Sequence, residues 1–378
     1  MNVLYLADGY DGSKVHHNLV SALCQYFDNL SVTIFACLRE KFTIEDSHLK
    51  FGDYNYSYIG KNVDVSYFWY KYDFFFKKRT KLRLLRESIN IQEYDYILAS
   101  TLYSEGIVAY ELHKKYNIPY ICFVRGTDVN LYAKKMFHLW PIGRKIIFSA
   151  QHIIFISASI RNNFVLTKSI KSIKQRVLDY STILPNGIDD IWLNNIYQCR
   201  RGEARKIVYI GDFSENKNVI SLIKAFDKLQ YDFPNLELNL IGGGCPPRNR
   251  DLSSKIYEII KNKSNVHFLG PIYDKLKLRN ELRKNDIFAM VSHSETFGLV
   301  YIEALSQGLP IVYSQGQGVD GLFDNMNVCE KANADDVDSI YSALKMVVDN
   351  YSKYEFIGEN INAFNWKYIV EKINMLLK

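Results

Sequence analysis

Short apolar runs recur along the chain, and each is followed by a stretch whose apolar positions keep helical spacing. Alternation of this kind predicts parallel strands joined by crossover helices, an α/β architecture. In the first half the predicted strands are Val3–Leu6, Val32–Ala36, Tyr96–Ala99, Tyr120–Phe123, His152–Ile156 and Ser181–Leu184. Over residues 191–204 the pattern lapses into Asn, Gln, Arg and Gly, and a linker is expected there. A second series follows: Lys206–Ile210, Leu236–Ile241, Val266–Phe268, Asp286–Val291 and Pro310–Tyr313. The expectation is two doubly wound units in tandem, residues 1–190 and 205–365, with ligands in a cleft at the carboxyl ends of the two sheets. Trp366 to Lys378 reads as a short amphipathic helix. No low-complexity tract or short-period repeat interrupts the pattern.

One predicted helix stands out. The strand-like run Asp286 to Val291 leads into Ser294-Glu295-Thr296-Phe297-Gly298, and Gly308-Leu309-Pro310 supplies a stop. A helix of about ten residues fits between, roughly Gly298 to Gln307. The N–H groups of Gly298, Leu299 and Val300 then lack intrahelical acceptors, and the helix dipole points the same way, so its tip is an anion site. Glu295 stands just before that tip. Glu303 lies one to two turns inside, where a carboxylate accepts two hydrogen bonds from a vicinal diol such as a ribose. Phosphate at the tip and sugar hydroxyls at a nearby carboxylate describe a nucleotide-sugar site.

Composition adds bounds. With 378 residues the chain holds two domains, and 48% hydrophobic and 23% charged residues are ordinary for a soluble globular protein. Cys24, Cys37, Cys122, Cys199, Cys245 and Cys329 form no Cys-x-x-Cys pair, which suits buried reduced thiols and a cytoplasmic location. Met1 to Gly9 reads as a first strand and not as a signal peptide. No run approaches a membrane span. Residues 1–190 hold 24 Lys+Arg against 18 Asp+Glu, whereas 191–378 hold 23 of each, so the whole excess of +6 lies in the first half. Its densest part is residues 67–86, where Tyr67 to Phe76 carries eight aromatics and runs into Lys77, Lys78, Arg79, Lys81, Arg83 and Arg86. Leu82, Leu85 and Ile89 share one helical face there. Either a solvated basic helix or a patch against anionic lipid fits, the latter placing the protein at the inner face of the membrane. Nucleic acid is not expected, because no recognised binding fold accompanies the charge.

The chemistry-bearing residues resemble those of retaining glycosyltransferases with the GT-B fold, most closely family 4. The resemblance rests on the Glu-x7-Glu pattern of Glu295 and Glu303, on Leu184-Pro185-Asn186-Gly187-Ile188-Asp189, on Gly211 to Lys217, and on Phe364-Asn365-Trp366, in that family's arrangement over nearly the whole chain. It implies two Rossmann-like domains facing each other across a cleft, with the C-terminal helix returning to the first. It further implies transfer of a sugar from a nucleoside diphosphate sugar to a carbohydrate or lipid-linked hydroxyl, as in bacterial surface polysaccharide synthesis, with no metal and no cofactor. Lys217 would meet the donor diphosphate, although Asp212 stands where the family carries an arginine. Gly12, Gly243 and Gly270 would line the donor, together with Phe297 and the helix tip. Glu295 would contact the donor sugar and Glu303 the ribose. Arg125 replaces a frequent histidine and would face the donor phosphate or an acidic acceptor, while Asp128 caps a helix on the plainer reading. Asp336-Val337-Asp338 reads as a helix cap, and His16, His17 and His293 as core or surface residues. A nucleotide-sugar epimerase of the same fold and a catalytically degenerate binding subunit are the alternatives.

Overall fold

The structure, a computed structural model, describes residues 1–10, 13–38, 56–62, 70–198, 202–245 and 250–378. The chain divides into two compact units. The first comprises Met1–Ile156, Ile160–Gly187 and Trp366–Lys378; the second comprises Ser157–Ser159 and Ile188–Asn365.

The first unit is built on a parallel sheet of seven strands: β1 (Asn2–Leu6), β2 (Ser31–Leu38), β3 (Tyr56–Asn62), β4 (Tyr96–Ala99), β5 (Tyr120–Val124), β6 (His152–Phe155) and β7 (Ser181–Ile183). Their order is β3-β2-β1-β4-β5-β6-β7, so the winding reverses between β1 and β4. Val3, Leu4, Tyr5, Ile97, Leu98 and all of β5 are buried, as expected of central strands covered on both faces. The C-terminal helix Trp366–Leu376 packs on helix Lys14–Tyr26 of this unit.

The second unit repeats the plan with six parallel strands: β8 (Lys206–Gly211), β9 (Glu237–Gly242), β10 (Val266–Gly270), β11 (Ile287–Met290), β12 (Ile311–Ser314) and β13 (Cys329–Ala332), in the order β10-β9-β8-β11-β12-β13. Its reversal lies between β8 and β11. In a doubly wound sheet the crevice outside the carboxyl ends at such a reversal is the ligand position.

Two strands, β3 and β13, were not expected from the sequence. Both are edge strands. Their sequences, Tyr-Ser-Tyr-Ile-Gly-Lys-Asn and Cys-Glu-Lys-Ala, mix polar residues into the run because part of each edge faces water. The expected linker at 191–204 also needs correction. The boundary between units falls at Gly187–Ile188. Trp192 is fully buried, its short helix Asp190–Leu193 packs on helices Lys275–Leu282 and Leu299–Ser306, and Asp189 pairs with Lys275. Residues 188–198 are therefore part of the second unit; 199–201, with Cys199, lie outside the described residues.

Candidate functional site

The loops beyond β8 and β11 meet at the reversal of the second sheet. After β8, the turn Asp212–Ser214 enters a single 3-10 turn, Glu215–Lys217, and the helix itself starts only at Val219. Asn218 makes the junction in the left-handed region (φ 57°), a conformation Asn tolerates better than most residues. Its amide donates to Val291 O at 3.1 Å and Ala334 O at 2.7 Å, tying this turn to the segments after β11 and β13. Asn216 adds a bond to Ser294 O at 2.8 Å, and His293 N–H returns one to Asn216 O at 2.8 Å. Thus fastened, Lys217 places its Nζ 2.7 Å from Glu295 Oε2, with the two side chains 19% and 14% exposed.

Glu295 is held from all sides. Its N–H donates to Gln317 Oε1 at 3.2 Å, its carbonyl accepts from Gly318 N–H at 2.8 Å, and its Oε1 accepts from Thr296 N–H at 3.1 Å. The helix behind it runs Leu299–Ser306 and ends before Gly308, close to the expected bounds. Gly298 precedes it at φ 78°, and a Cβ there would lie 2.5 Å from the Tyr301 ring and 3.2 Å from Glu295 Cγ. Only glycine allows the tip to form beside that carboxylate. Tyr301 is itself pinned by a 2.6 Å bond from its hydroxyl to Met290 O. Leu299 and Val300, the first helical residues, and Glu303 one turn on are half-buried. Phe297 behaves differently from the expectation. The residue is 3% exposed and its ring packs on Phe364, so it supports the tip from behind.

Gly243 follows β9 and Gly270 ends β10, both at the carboxyl edge of the sheet, with φ 113° and 74°. Gly243 N–H bonds Gly211 O at 3.2 Å and Gly244 O accepts from Phe213 N–H at 2.8 Å, so the glycine loop lies on the β8 turn. Asp212, where an arginine was expected, accepts from Ser214 N–H at 2.9 Å and stabilises that turn. Gln317, Asn216 and Asn218 were not anticipated. An asparagine just ahead of a helix was the available signal for the last of these.

In the first unit Gly12 lies outside the described residues. Arg125 follows β5 and its Nε donates to Ser100 O at 3.0 Å. Asp128 does not cap the helical turn it opens. Fully buried, it accepts from Tyr103 N–H and Arg125 N–H at 3.0 Å each, locking the loop that carries Arg125, and burial raises its pKa to about 6. Tyr5 and His16 bond each other in the core, and burial holds His16 well below the usual histidine range, hence neutral. His293 is a surface residue, as expected, and pairs with Asp335, which was not anticipated; Asp336 caps the helix Val337–Asp349 as expected. Among the described residues no group of three His, Cys, Asp or Glu is placed to hold a metal.

The basic helix runs Tyr70–Ser88, with residues 63–69 outside the described residues. Leu82 and Leu85 are buried. So is Lys81, which corrects the reading of a six-cation face. Its ammonium pairs with Asp8 and, at 3.4 Å, with Glu105, and donates to Ser104 Oγ at 3.0 Å. Lys78 pairs with Glu111 at 2.9 Å and Arg83 with Glu87 at 3.5 Å. Burial pushes the Glu105 carboxyl up to about 7, against the pull of Lys81. Of the cysteines, Cys24, Cys37 and Cys122 are buried thiols, while Cys245 and Cys329 are half-buried.

Comparison with known proteins bears on the second unit above all. Residues 198–364 match the family model for glycosyl transferases group 1. That stretch contains Lys217, Gly243, Gly270, Glu295 and Glu303 and spans somewhat under half of the chain. An uncharacterized glycosyltransferase of Methanocaldococcus jannaschii is 25% identical over 74% of this chain and 73% of its own length. The capsular polysaccharide biosynthesis glycosyltransferase CapM of Staphylococcus aureus is 24% identical over 64% of this chain and 65% of its own, so the match covers less than two thirds of that relative. Among solved structures, Anabaena HepE in complex with UDP superposes with a TM-score of 0.71 and 17% identity, covering 100% of this chain and 99% of that one. The two parallel-sheet units are those of the GT-B glycosyltransferases. Likeness to the glycosyl transferases group 1 is thus carried by the family match over residues 198–364, and the solved structures add the GT-B fold.

Proposed function

We propose that this protein transfers a sugar from a nucleoside diphosphate sugar to a hydroxyl of a carbohydrate or lipid-linked acceptor, with retention of configuration in the manner of family 4. The observation that carries this reading is the Lys217–Glu295 pair, held 2.7 Å apart at the sheet reversal beside the tip of helix Leu299–Ser306. The bond between the anomeric carbon and the diphosphate oxygen breaks, and negative charge grows on the departing diphosphate. Lys217 and the amides of Leu299 and Val300 are aimed at such a charge and are already fixed in place, which is the condition for electrostatic catalysis. Positive charge grows on the sugar ring, opposite the Glu295 carboxylate. Glu303 accepts hydrogen bonds from the ribose. The acceptor oxygen forms the new bond on the face that the diphosphate leaves, and the hydroxyl proton passes to a diphosphate oxygen. No protein nucleophile is required. Arg125 supplies a cation for the donor phosphate or an acidic acceptor. The likeness to CapM, whose name places it in capsular polysaccharide synthesis, and to HepE, solved with UDP, supports a surface-polysaccharide role and a uridine nucleotide as the first donor to try. We place the reaction on the cytoplasmic side, where nucleotide sugars are made.

Incubation of the purified protein with UDP-, GDP- and ADP-sugars, scored for released nucleoside diphosphate, tests the proposal. One donor should be hydrolysed slowly without acceptor, and Glu295→Gln should abolish this. Binding of a donor with no release under any condition would favour a binding subunit, for which Asp212 in place of the arginine and Arg125 in place of the histidine are the arguments.

A further inference from the structure

The excess charge of the first unit has a second seat. Residues 129–178, fifty in succession, hold nine Lys or Arg and no Asp or Glu. A surface of that length ordinarily mixes the two signs. The segment includes helices Trp140–Ser149, Ala158–Val165 and Lys174–Asp179, and hydrogen bonds fasten parts of it into one face. Arg144 Nε donates to Ser169 O at 2.8 Å, joining the first helix to the turn before Lys171. Arg176 Nη2 donates to Phe148 O at 3.1 Å, joining the same helix to the last one. The Arg176 guanidinium also stacks 3.3 Å from the centre of the Tyr180 ring and lies 6.0 Å from that of Phe148. These arginines are engaged within the face, while Lys145, Lys168, Lys171 and Lys174 stand exposed on it. With them, Phe148 is 53% exposed, Leu166 72% and Tyr180 46%. The nearby acid, Asp179, is held by Gln175 at 2.7 Å.

We infer that this face docks on an anionic lipid surface, its lysines over the headgroups and Phe148, Leu166 and Tyr180 at the interface. Cations alone would fit any polyanion. Large apolar side chains left in water among them point to a partner that is charged and greasy together, which a bilayer interface is. Nucleic acid would use the cations and could stack on rings, but it gives Leu166 nothing to do. Among the described residues no helix is long and apolar enough to cross a membrane, so any membrane contact by them is from the side. The helix Tyr70–Ser88 is the weaker candidate, since Lys81 is inside and Lys78 and Arg83 have carboxylate partners. The inference does not depend on sugar transfer being the activity.

The test is co-sedimentation of the full chain with vesicles of phosphatidylglycerol and phosphatidylcholine, or of phosphatidylcholine alone, at low salt and at high salt. The wild type should sediment with the anionic vesicles only, and salt should release it. The variant K145Q/K168Q/K171Q/K174Q should partition several hundredfold more weakly, at about fivefold per charge removed. The three-charge variant R79Q/R83Q/R86Q on the other helix should bind within about twofold of wild type, and Phe148→Ser should weaken binding while leaving its salt dependence. All these side chains are exposed, so unchanged melting is expected; should the fourfold variant fail to fold, Phe148→Ser with the salt series decides alone. Wild type remaining in the supernatant at low salt would overturn the inference. So would equal release by both charge variants, or a fourfold variant that loses single-stranded RNA binding while vesicle binding stays intact.

Discussion

Glu295→Gln should tighten the binding of the free nucleoside diphosphate while stopping catalysis. The Lys217 ammonium is neutralised by Glu295 at 2.7 Å, and both side chains are less than one fifth exposed. A diphosphate that approaches Lys217 must also approach that carboxylate. At a separation of ~7 Å and an effective dielectric constant of about 20, the repulsion is about 2 kcal/mol before solvent screening. Screening leaves roughly 1 to 1.5 kcal/mol, about a tenfold gain in affinity when the charge is removed. Glutamine keeps the shape, its single amide oxygen can accept from either Lys217 or Thr296 N–H, and the backbone bonds of residue 295 to Gln317 and Gly318 still hold the loop in place. Lys217→Met should act in the opposite sense. It removes a charge-assisted contact of about 1.5 to 3 kcal/mol, a tenfold to hundredfold loss, for the diphosphate but not for the bare nucleoside. Isothermal titration with the tightest-binding nucleoside diphosphate and its nucleoside, on both variants and the double variant, reads all of this. If Glu295→Gln weakens diphosphate binding as much as Lys217→Met does, the carboxylate supports the phosphate site and does not face the sugar, and the reasoning fails.

Glu303→Ala should lower donor affinity or turnover roughly a hundredfold with the fold unchanged, because up to two charge-assisted hydrogen bonds go with it; steady-state kinetics on a variant of normal circular dichroism checks this. Gly298→Ala should destabilise the second unit by about 2 to 4 kcal/mol, from the left-handed backbone and from the clash with the pinned Tyr301 ring, read as a lower denaturant midpoint. Stability of the first unit should fall as pH rises from about 4.5 to 7. Folded Glu105, raised to about 7, keeps a proton there that the unfolded chain has lost, so the unfolded state gains on the folded one. Asp128, raised to about 6, adds in the same sense, whereas Lys81 loses its contribution only at strongly alkaline pH because its carboxylate partners outweigh its burial. Glu105→Gln should flatten most of that slope in urea titrations across the window.

The central strands were legible because two-sided burial makes them continuous apolar runs; all eleven strands read from the sequence, the edge strands β7 and β10 among them, are present within a residue or two at their ends. Edge strands β3 and β13 escaped because half-wet strands look like loops when only the apolar run is counted. The helix tip was legible through Gly298 and the Gly308-Leu309-Pro310 stop, which are local signals. The company that Lys217 keeps was not, since Glu295 lies 78 residues away in the chain and only the order of strands brings it near. The burial of Lys81 was invisible for the same reason. Helical periodicity put Leu82 and Leu85 inside, but the carboxylates of Asp8 and Glu105 that make an inward lysine tolerable come from loops after β1 and β4. Charge counted along a helix is therefore a poor guide to charge presented by it.

Binding of nucleotide sugars to the second unit is the claim on which the rest depends, and a thermal-shift panel of UDP-, GDP-, ADP- and dTDP-sugars measures it most directly. One donor should raise the melting temperature of the wild type in proportion to the logarithm of its concentration, by about 2.7 kcal/mol of stabilisation at a hundred times its dissociation constant. The same donor should leave Glu303→Ala almost unshifted at that concentration. A panel that moves nothing at millimolar concentration, or a shift that survives intact in a variant lacking both Lys217 and Glu303, would contradict the account.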